Sequence, residues 1–128
     1  MNKKISRSIV FLAFTFISSL VFADGPLTIQ TSADGCPTGV TNDGSCGGGV
    51  SNGPACRDTG ARVRWISTGN DIVSISEKYE EDPGELRGCT PNGPADYHCS
   101  AVGASGDAIE YDVLLEGCPP LDPTIIIR

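Results

Sequence analysis

Six cysteines are the most regular set of side chains in this sequence that could do chemistry. They are Cys36, Cys46, Cys56, Cys89, Cys99 and Cys118. Zinc sites want close cysteine pairs with histidine partners, and a thioredoxin-type relay wants a C-x-x-C motif. The closest cysteines here are ten positions apart, so neither pattern is present. An even number of cysteines in a small exported chain is typical of disulfides, and we predict that all six are paired.

The only histidine is a poor candidate for catalysis or for a copper site. No G-x-S-x-G elbow occurs, since "GASGD" around Ser105 lacks that spacing. His98 lies out of phase with Tyr97 and Cys99 in an alternating stretch, which predicts a position on the solvent face. A blue-copper centre needs two histidines, a free cysteine and usually a methionine. An unusual copper site of His98 with Asp96 is the weaker alternative, and we predict no catalytic, metal or cofactor-binding residue.

Calcium is the other ion that the composition suggests. Asp and Asn residues gather at the turns, namely Asp34, Asn42, Asp43, Asn70, Asp71 and the tract 80–85. The D-x-[DN]-x-[DN]-G spacing of an EF-hand is absent, and so is the glycine-rich nonapeptide of calcium-binding β-helices. Turns attract Asp and Asn for conformational reasons alone, so ordinary turns are the favoured interpretation.

The first residues have the pattern of a secretory signal peptide. Three basic residues, Lys3, Lys4 and Arg7, lie near the start, and an apolar run covers 9–22. Val21 and Ala23 then match a cleavage site. The apolar run is short for a membrane span, which needs about 20 residues. We therefore expect 1–23 to be removed, a mature chain from Asp24, no remaining membrane span, and a secreted or periplasmic protein.

The expected mature chain is strongly acidic. It contains sixteen acidic and six basic residues, a formal charge of −10. Nucleic-acid binding depends on Lys and Arg that neutralise phosphates, so nucleic acid is a poor partner. A cationic extracellular protein suits this charge better, although acidity also keeps exported proteins soluble.

The mature chain changes composition near residue 60. We predict a glycine-rich, disulfide-pinned loop region over 24–60, in which only 27–31 alternates like a strand. From residue 61 to 128 the apolar residues recur with period two, between turns rich in Gly, Pro and Asp. The tract 80–88 is predicted as a charged turn. No segment shows a sustained helical period.

These patterns predict an all-β fold, a disulfide-stabilised antiparallel sandwich with Greek-key connections and an irregular glycine-rich N-terminal region. The final apolar run predicts a strand covered on both faces. The predicted core consists of Val63, Trp65, Val73, Ile75, Tyr97, Ile109, Tyr111, Val113 and Leu115, with the buried strand 125–127.

Three stretches carry a family resemblance: "VRWISTGNDIVSIS", "YDVLL" and the closing "GCPPLDPTIIIR". They resemble small, uncharacterised bacterial secreted β-sandwich proteins that end in an L-D-P-x-I-I-I strand. The resemblance covers roughly the last 65 residues, implies an immunoglobulin-like or cupredoxin-like outline, and implies no activity.

Six cysteines allow fifteen pairings. We favour Cys89–Cys99 as a local clasp, because two prolines and an Asn-Gly turn lie between them. Cys118 would then reach one of the three early cysteines, and the other two would close the glycine-rich loop.

Two functions remain open. The first is a non-catalytic binding or structural module that presents the region 24–60 or a sheet edge. The second is an inhibitor of a secreted or host enzyme, with the loop between Cys89 and Cys99 held rigid for a target cleft. An enzyme ranks below both, because no catalytic grouping is visible.

Overall fold

The computed structural model describes residues 25–41, 46 and 54–128. The predicted signal peptide and residues 24, 42–45 and 47–53 of the glycine-rich region lie outside these residues. Within them the chain forms β-strands and no helix. The strands are β1 (Leu27–Thr31), β2 (Pro37–Val40), β3 (Ala55–Arg57), β4 (Ala61–Ser67), β5 (Ile72–Glu77), β6 (Glu85–Pro91), β7 (Asp96–Val102), β8 (Ala108–Leu115) and β9 (Thr124–Ile127).

Two sheets make up a sandwich. The first sheet has the order β2-β1-β4-β7-β6 and the second has the order β3-β9-β8-β5. The chain passes from one sheet to the other at every connection between consecutive strands except β1–β2, β6–β7 and β8–β9. This confirms the all-β, disulfide-stabilised sandwich. The sheets are mixed, however, because β1 pairs with β4 in parallel and β3 pairs with β9 in parallel.

The core lies between the inner faces of the sheets, where alternation along each strand places the apolar side chains. Trp65 is fully buried at its centre. Its ring lies edge-on to Tyr111 with the centroids 5.3 Å apart, and its Nε1 donates a hydrogen bond to the Tyr111 hydroxyl at 3.0 Å. Every residue of the predicted core is buried except Val73 and Ile126.

The core prediction for Val73 is wrong. Its side chain is 54% exposed, whereas Ile72 is only 7% exposed. The pairing of β5 with β8 shifts by one residue between Ile72 and Ser74, and such a bulge reverses the faces of the residues before it. Ile126 is half-buried because β9 is covered fully on one face only.

Strand boundaries differ from expectation in two places. The tract predicted as a charged turn becomes strand β6 from Glu85 onward. Within 24–60, β2 and β3 form in addition to β1. Both are short segments without a clear apolar alternation, and they become strands because they pair with hydrophobic β1 and β9.

All six cysteines are in disulfides, with the pairs Cys36–Cys118, Cys46–Cys56 and Cys89–Cys99. The local clasp predicted between β6 and β7 is present. A β-bulge in β6 brings the two cysteines together: Gly88, with a φ of +59°, and Cys89 both lie opposite Cys99. Three disulfides fit an extracellular or other oxidising compartment.

Candidate functional site

A cleft of about 450 Å³ opens at one side of the sandwich, between the edge strands of the two sheets. Its volume is within the usual range of ligand pockets, roughly 300–1,000 Å³. The described residues that line it are Thr38, Gly39, Val40, Thr41, Pro54, Ala55, Tyr111, Leu121, Asp122, Pro123 and Thr124.

Three segments build the cleft. β2 contributes the wall from the first sheet, and the start of β3 contributes the wall from the second. The third segment, 121–123, runs along β8: Leu121 and Val113 exchange backbone hydrogen bonds of 2.8 and 2.9 Å, and Tyr111 N donates to Pro123 O at 3.1 Å. Since all three segments are tied to the sheets, the walls of the cleft are held by the fold itself.

The lining combines apolar walls with hydroxyl groups and one charge. Val40, Leu121 and Pro123 supply apolar surface. The threonines that line the cleft in β2 and just after it are hydrogen-bonded to β1. Thr41 Oγ1, for example, donates to Thr28 O at 3.2 Å. Asp122 is the one charged side chain among the described lining residues, and its carboxylate is paired with Lys78.

Tyr111 contributes to the cleft from the core side and is 1% exposed. Burial raises the pKa of its hydroxyl well above the ordinary value, although the bond from Trp65 and the nearby Arg57 act in the opposite direction. Tyr111 therefore stays neutral at physiological pH. Arg57 is itself buried, and its guanidinium donates to Gly25 O at 3.0 Å and to Cys56 O at 2.8 Å. These groups support the wall and do not form a nucleophile with a base.

Charge is divided between the outer faces of the two sheets. On the second sheet, Asp112 lies opposite Ser76, and Asp122 lies beside it because Val113 pairs with Leu121. Together with Glu110, these carboxylates form an acidic strip that reaches the cleft at Asp122. The single lysine beside this strip is Lys78, whose pKa is raised chiefly by Asp122 and also by Asp112.

The outer face of the first sheet carries arginines instead. Arg62 lies opposite Ser100, which in turn lies opposite Arg87. Arg64 binds the Asp96 carboxylate through Nε at 2.9 Å and through Nη2 at 2.5 Å, and this pairing lowers the pKa of Asp96. Arg87 is likewise paired with Glu85 of the same face, so the outer face of the second sheet is the more acidic of the two.

The hairpin clasped by Cys89–Cys99 has an exposed turn, but its backbone is tethered to the sandwich. Asn92 N donates to Asp96 O at 2.9 Å across the turn. Ile72 N donates to Pro94 O at 2.8 Å, and Ser67 N donates to Ala95 O at 2.9 Å. Two carbonyl groups of the turn are thus already used by the connection between β4 and β5.

His98 and the turn carboxylates are not brought together. His98 lies on the outer face opposite Arg64, close enough to Asp96 to help lower the pKa of that carboxyl. Asp34 accepts hydrogen bonds from Ser32 Oγ and from Cys36 N, which lower its pKa. In the part of the chain that the structure describes, no three His, Cys, Asp or Glu residues are placed to hold a metal ion. Asn42 and Asp43 lie outside that part.

The sheet edges offer little for strand addition. β2 begins with Pro37 and shifts register beside β1, β6 contains a bulge and ends with Pro91, and β5 contains the shift after Ile72. β3 is only three residues long. Among the described residues of 24–60, the cleft is therefore a better feature for a partner than an exposed edge.

The cleft itself was not visible in the sequence. It joins residues that are more than 80 positions apart, such as Thr38 and Asp122, and neither position carries a local motif. Within 25–41, 46 and 54–128, no helix is long and apolar enough to cross a membrane. The chain matches no protein-family model, no curated protein and no solved structure. The immunoglobulin-like or cupredoxin-like outline therefore stays a prediction.

Proposed function

We propose that the protein is a secreted or periplasmic, non-catalytic binding module that holds its partner in the cleft between β2 and β3. The observation that carries this proposal is the cleft itself, whose walls are fixed by hydrogen bonds to the two sheets. Its lining supplies apolar contact, hydroxyl groups and one carboxylate, which is the composition of a recognition site.

The partner is a cationic extracellular protein. Asp122, at the edge of the cleft, carries the one carboxylate of the described lining, and the acidic strip continues from it across the outer face of the second sheet. The charge of −10 on the expected mature chain attracts a basic partner at long range, and the strip directs that attraction toward the cleft. The opposite face is less acidic, because Arg64 and Arg87 balance the carboxylates of Asp96 and Glu85 there.

The cleft can be tested by filling its mouth. Thr38 is exposed and lines the cleft, so Thr38→Trp should occlude it without entering the core. Thr90, an equally exposed strand threonine outside the cleft, gives the control Thr90→Trp. In a native pull-down from the exported proteins of the source cells, a bound basic protein should be kept by the wild type and by Thr90→Trp, and lost by Thr38→Trp. A partner retained by Thr38→Trp would contradict the cleft as the site.

The alternative is an inhibitor of a secreted or host enzyme. It is favoured by the exposed turn of the clasped hairpin, which is rigid and loses little entropy on binding. The bonds from Ile72 to Pro94 and from Ser67 to Ala95 weigh against it, because they occupy carbonyl groups that a target cleft would need. Incubation with secreted proteases and cell-wall hydrolases tests this alternative directly.

A further inference from the structure

We propose that Lys78 acts as an internal competitor at the cleft: its ammonium group occupies the Asp122 carboxylate, and a basic side chain of the partner displaces it. This inference rests on the proposed function, because it names the group of the partner that the cleft receives. It also assigns a regulatory contact within the chain.

The lining of the cleft suits a long basic side chain. Val40, Leu121 and Pro123 offer apolar surface for the methylene stem of an arginine or lysine. Asp122 offers the one carboxylate of the described lining, and an arginine head can bind a carboxylate through two parallel hydrogen bonds. An acidic ligand would meet the same carboxylate and be repelled.

Lys78 already performs this interaction from inside the molecule. It is the only lysine after residue 23, and its Nζ is paired with Asp122 Oδ2. The pair is accessible, with side-chain exposures of 32% for Lys78 and 48% for Asp122. Exposed ion pairs of this kind are weak, so an incoming cation that gains contacts inside the cleft can replace the lysine.

The residues around Lys78 keep the free-energy cost of separating it from Asp122 small. The backbone of Lys78 pairs with that of Glu110 at 2.9 Å, and Asp112 is close enough to raise the lysine's pKa. When a partner takes Asp122, Lys78 therefore still lies near the Asp112 carboxylate of the acidic strip. Because a partner must displace Lys78, charge alone gives weak binding. The partner must therefore also contact the walls of the cleft.

A labelled oligoarginine peptide tests the competitor by fluorescence anisotropy. Lys78→Met keeps the stem and removes the charge, and it should tighten the Kd for this peptide about fivefold, the equivalent of one exposed ion pair. Arg64→Met is the matched control, because it removes the same charge and breaks the Arg64–Asp96 pair on the opposite face. It should change the Kd less than about twofold, as expected of a distant, screened charge.

The double variant Lys78→Met/Asp122→Asn tests whether Lys78 acts through its pair with Asp122 or only through the net charge of the protein. If Lys78 acts through Asp122, removal of its charge no longer tightens binding once Asp122 is neutral. Equal effects of Lys78→Met and Arg64→Met would overturn the competitor while leaving the binding module intact. Binding of the peptide by Lys78→Met but not by the wild type would support the competitor. Absence of binding in both the wild type and Lys78→Met would overturn the cationic partner and the competitor together, and thermal unfolding of each variant confirms that it is folded.

Discussion

The hydrogen bond between Trp65 and Tyr111 allows a quantitative test of the core. Tyr111→Phe keeps the aromatic ring and its edge-on contact but removes the oxygen that accepts from Trp65 Nε1 at 3.0 Å. Because both residues are at most 1% exposed, the indole nitrogen freed by this change stays in the core, away from bulk solvent. A buried donor left without a partner costs about 1–3 kcal/mol.

The same substitution at a second tyrosine provides the control. Tyr97 is also buried, at 9% exposed, but its hydroxyl makes no hydrogen bond to a described residue. We expect Tyr111→Phe to lower the free energy of unfolding by about 2 kcal/mol, and Tyr97→Phe to change it by less than about 0.5 kcal/mol. Urea titration followed by Trp65 fluorescence measures both. Equal stabilities of the two variants, or a larger loss for Tyr97→Phe, would refute the role assigned to the buried bond.

Three further predictions concern turns, pH and processing. Gly35→Ala should lower the free energy of unfolding by more than about 1 kcal/mol, because the residue has a φ of +80° and a Cβ would collide with Asn70. Gly106 is also at positive φ but faces open space, so Gly106→Ala should cost less. Thermal unfolding of the two variants measures the difference. The pKa of Asp96 is lowered in the folded protein, so its ion pair stabilises above the unfolded pKa and that contribution disappears as the pH falls through the folded value. On acidification below about pH 4, the free energy of unfolding should therefore fall more for the wild type than for Asp96→Asn. An equal pH dependence of the two proteins would contradict this. Intact-mass measurement should find the exported protein beginning at Asp24, and a soluble product that retains 1–23 would contradict the leader.

The division of charge shows how far the sequence could be interpreted without a structure. Composition gives the net charge, but it cannot assign Arg62 and Arg87 to one outer face and Asp112 and Asp122 to the other. The assignment follows from which segments become neighbours: β4 pairs with β7 across two intervening strands, and 121–123 folds back onto β8 after a short turn. The acidic strip and its single lysine therefore became visible only in the folded chain.

The alternation of the strands is the part that local sequence determined. Val63, Trp65, Tyr111 and Val113 could be assigned to the core because the side chains of a strand point to opposite faces in turn. Val73 was misassigned because a bulge interrupts that period and leaves no mark in composition. The even cysteine count likewise indicated disulfides, because paired cysteines are typical of small exported chains.

Tertiary structure decided which distant segments meet. β2 and β3 are strands because β1 and β9 provide hydrogen-bonding edges for them, since residues such as Thr38 and Gly39 have little strand preference of their own. The cleft exists because those two edges and the segment around Asp122 end at the same side of the sandwich. Sequence periodicity reports the faces of one segment at a time, whereas a site of this kind depends on the spatial order of several segments, which is set by packing of the whole chain.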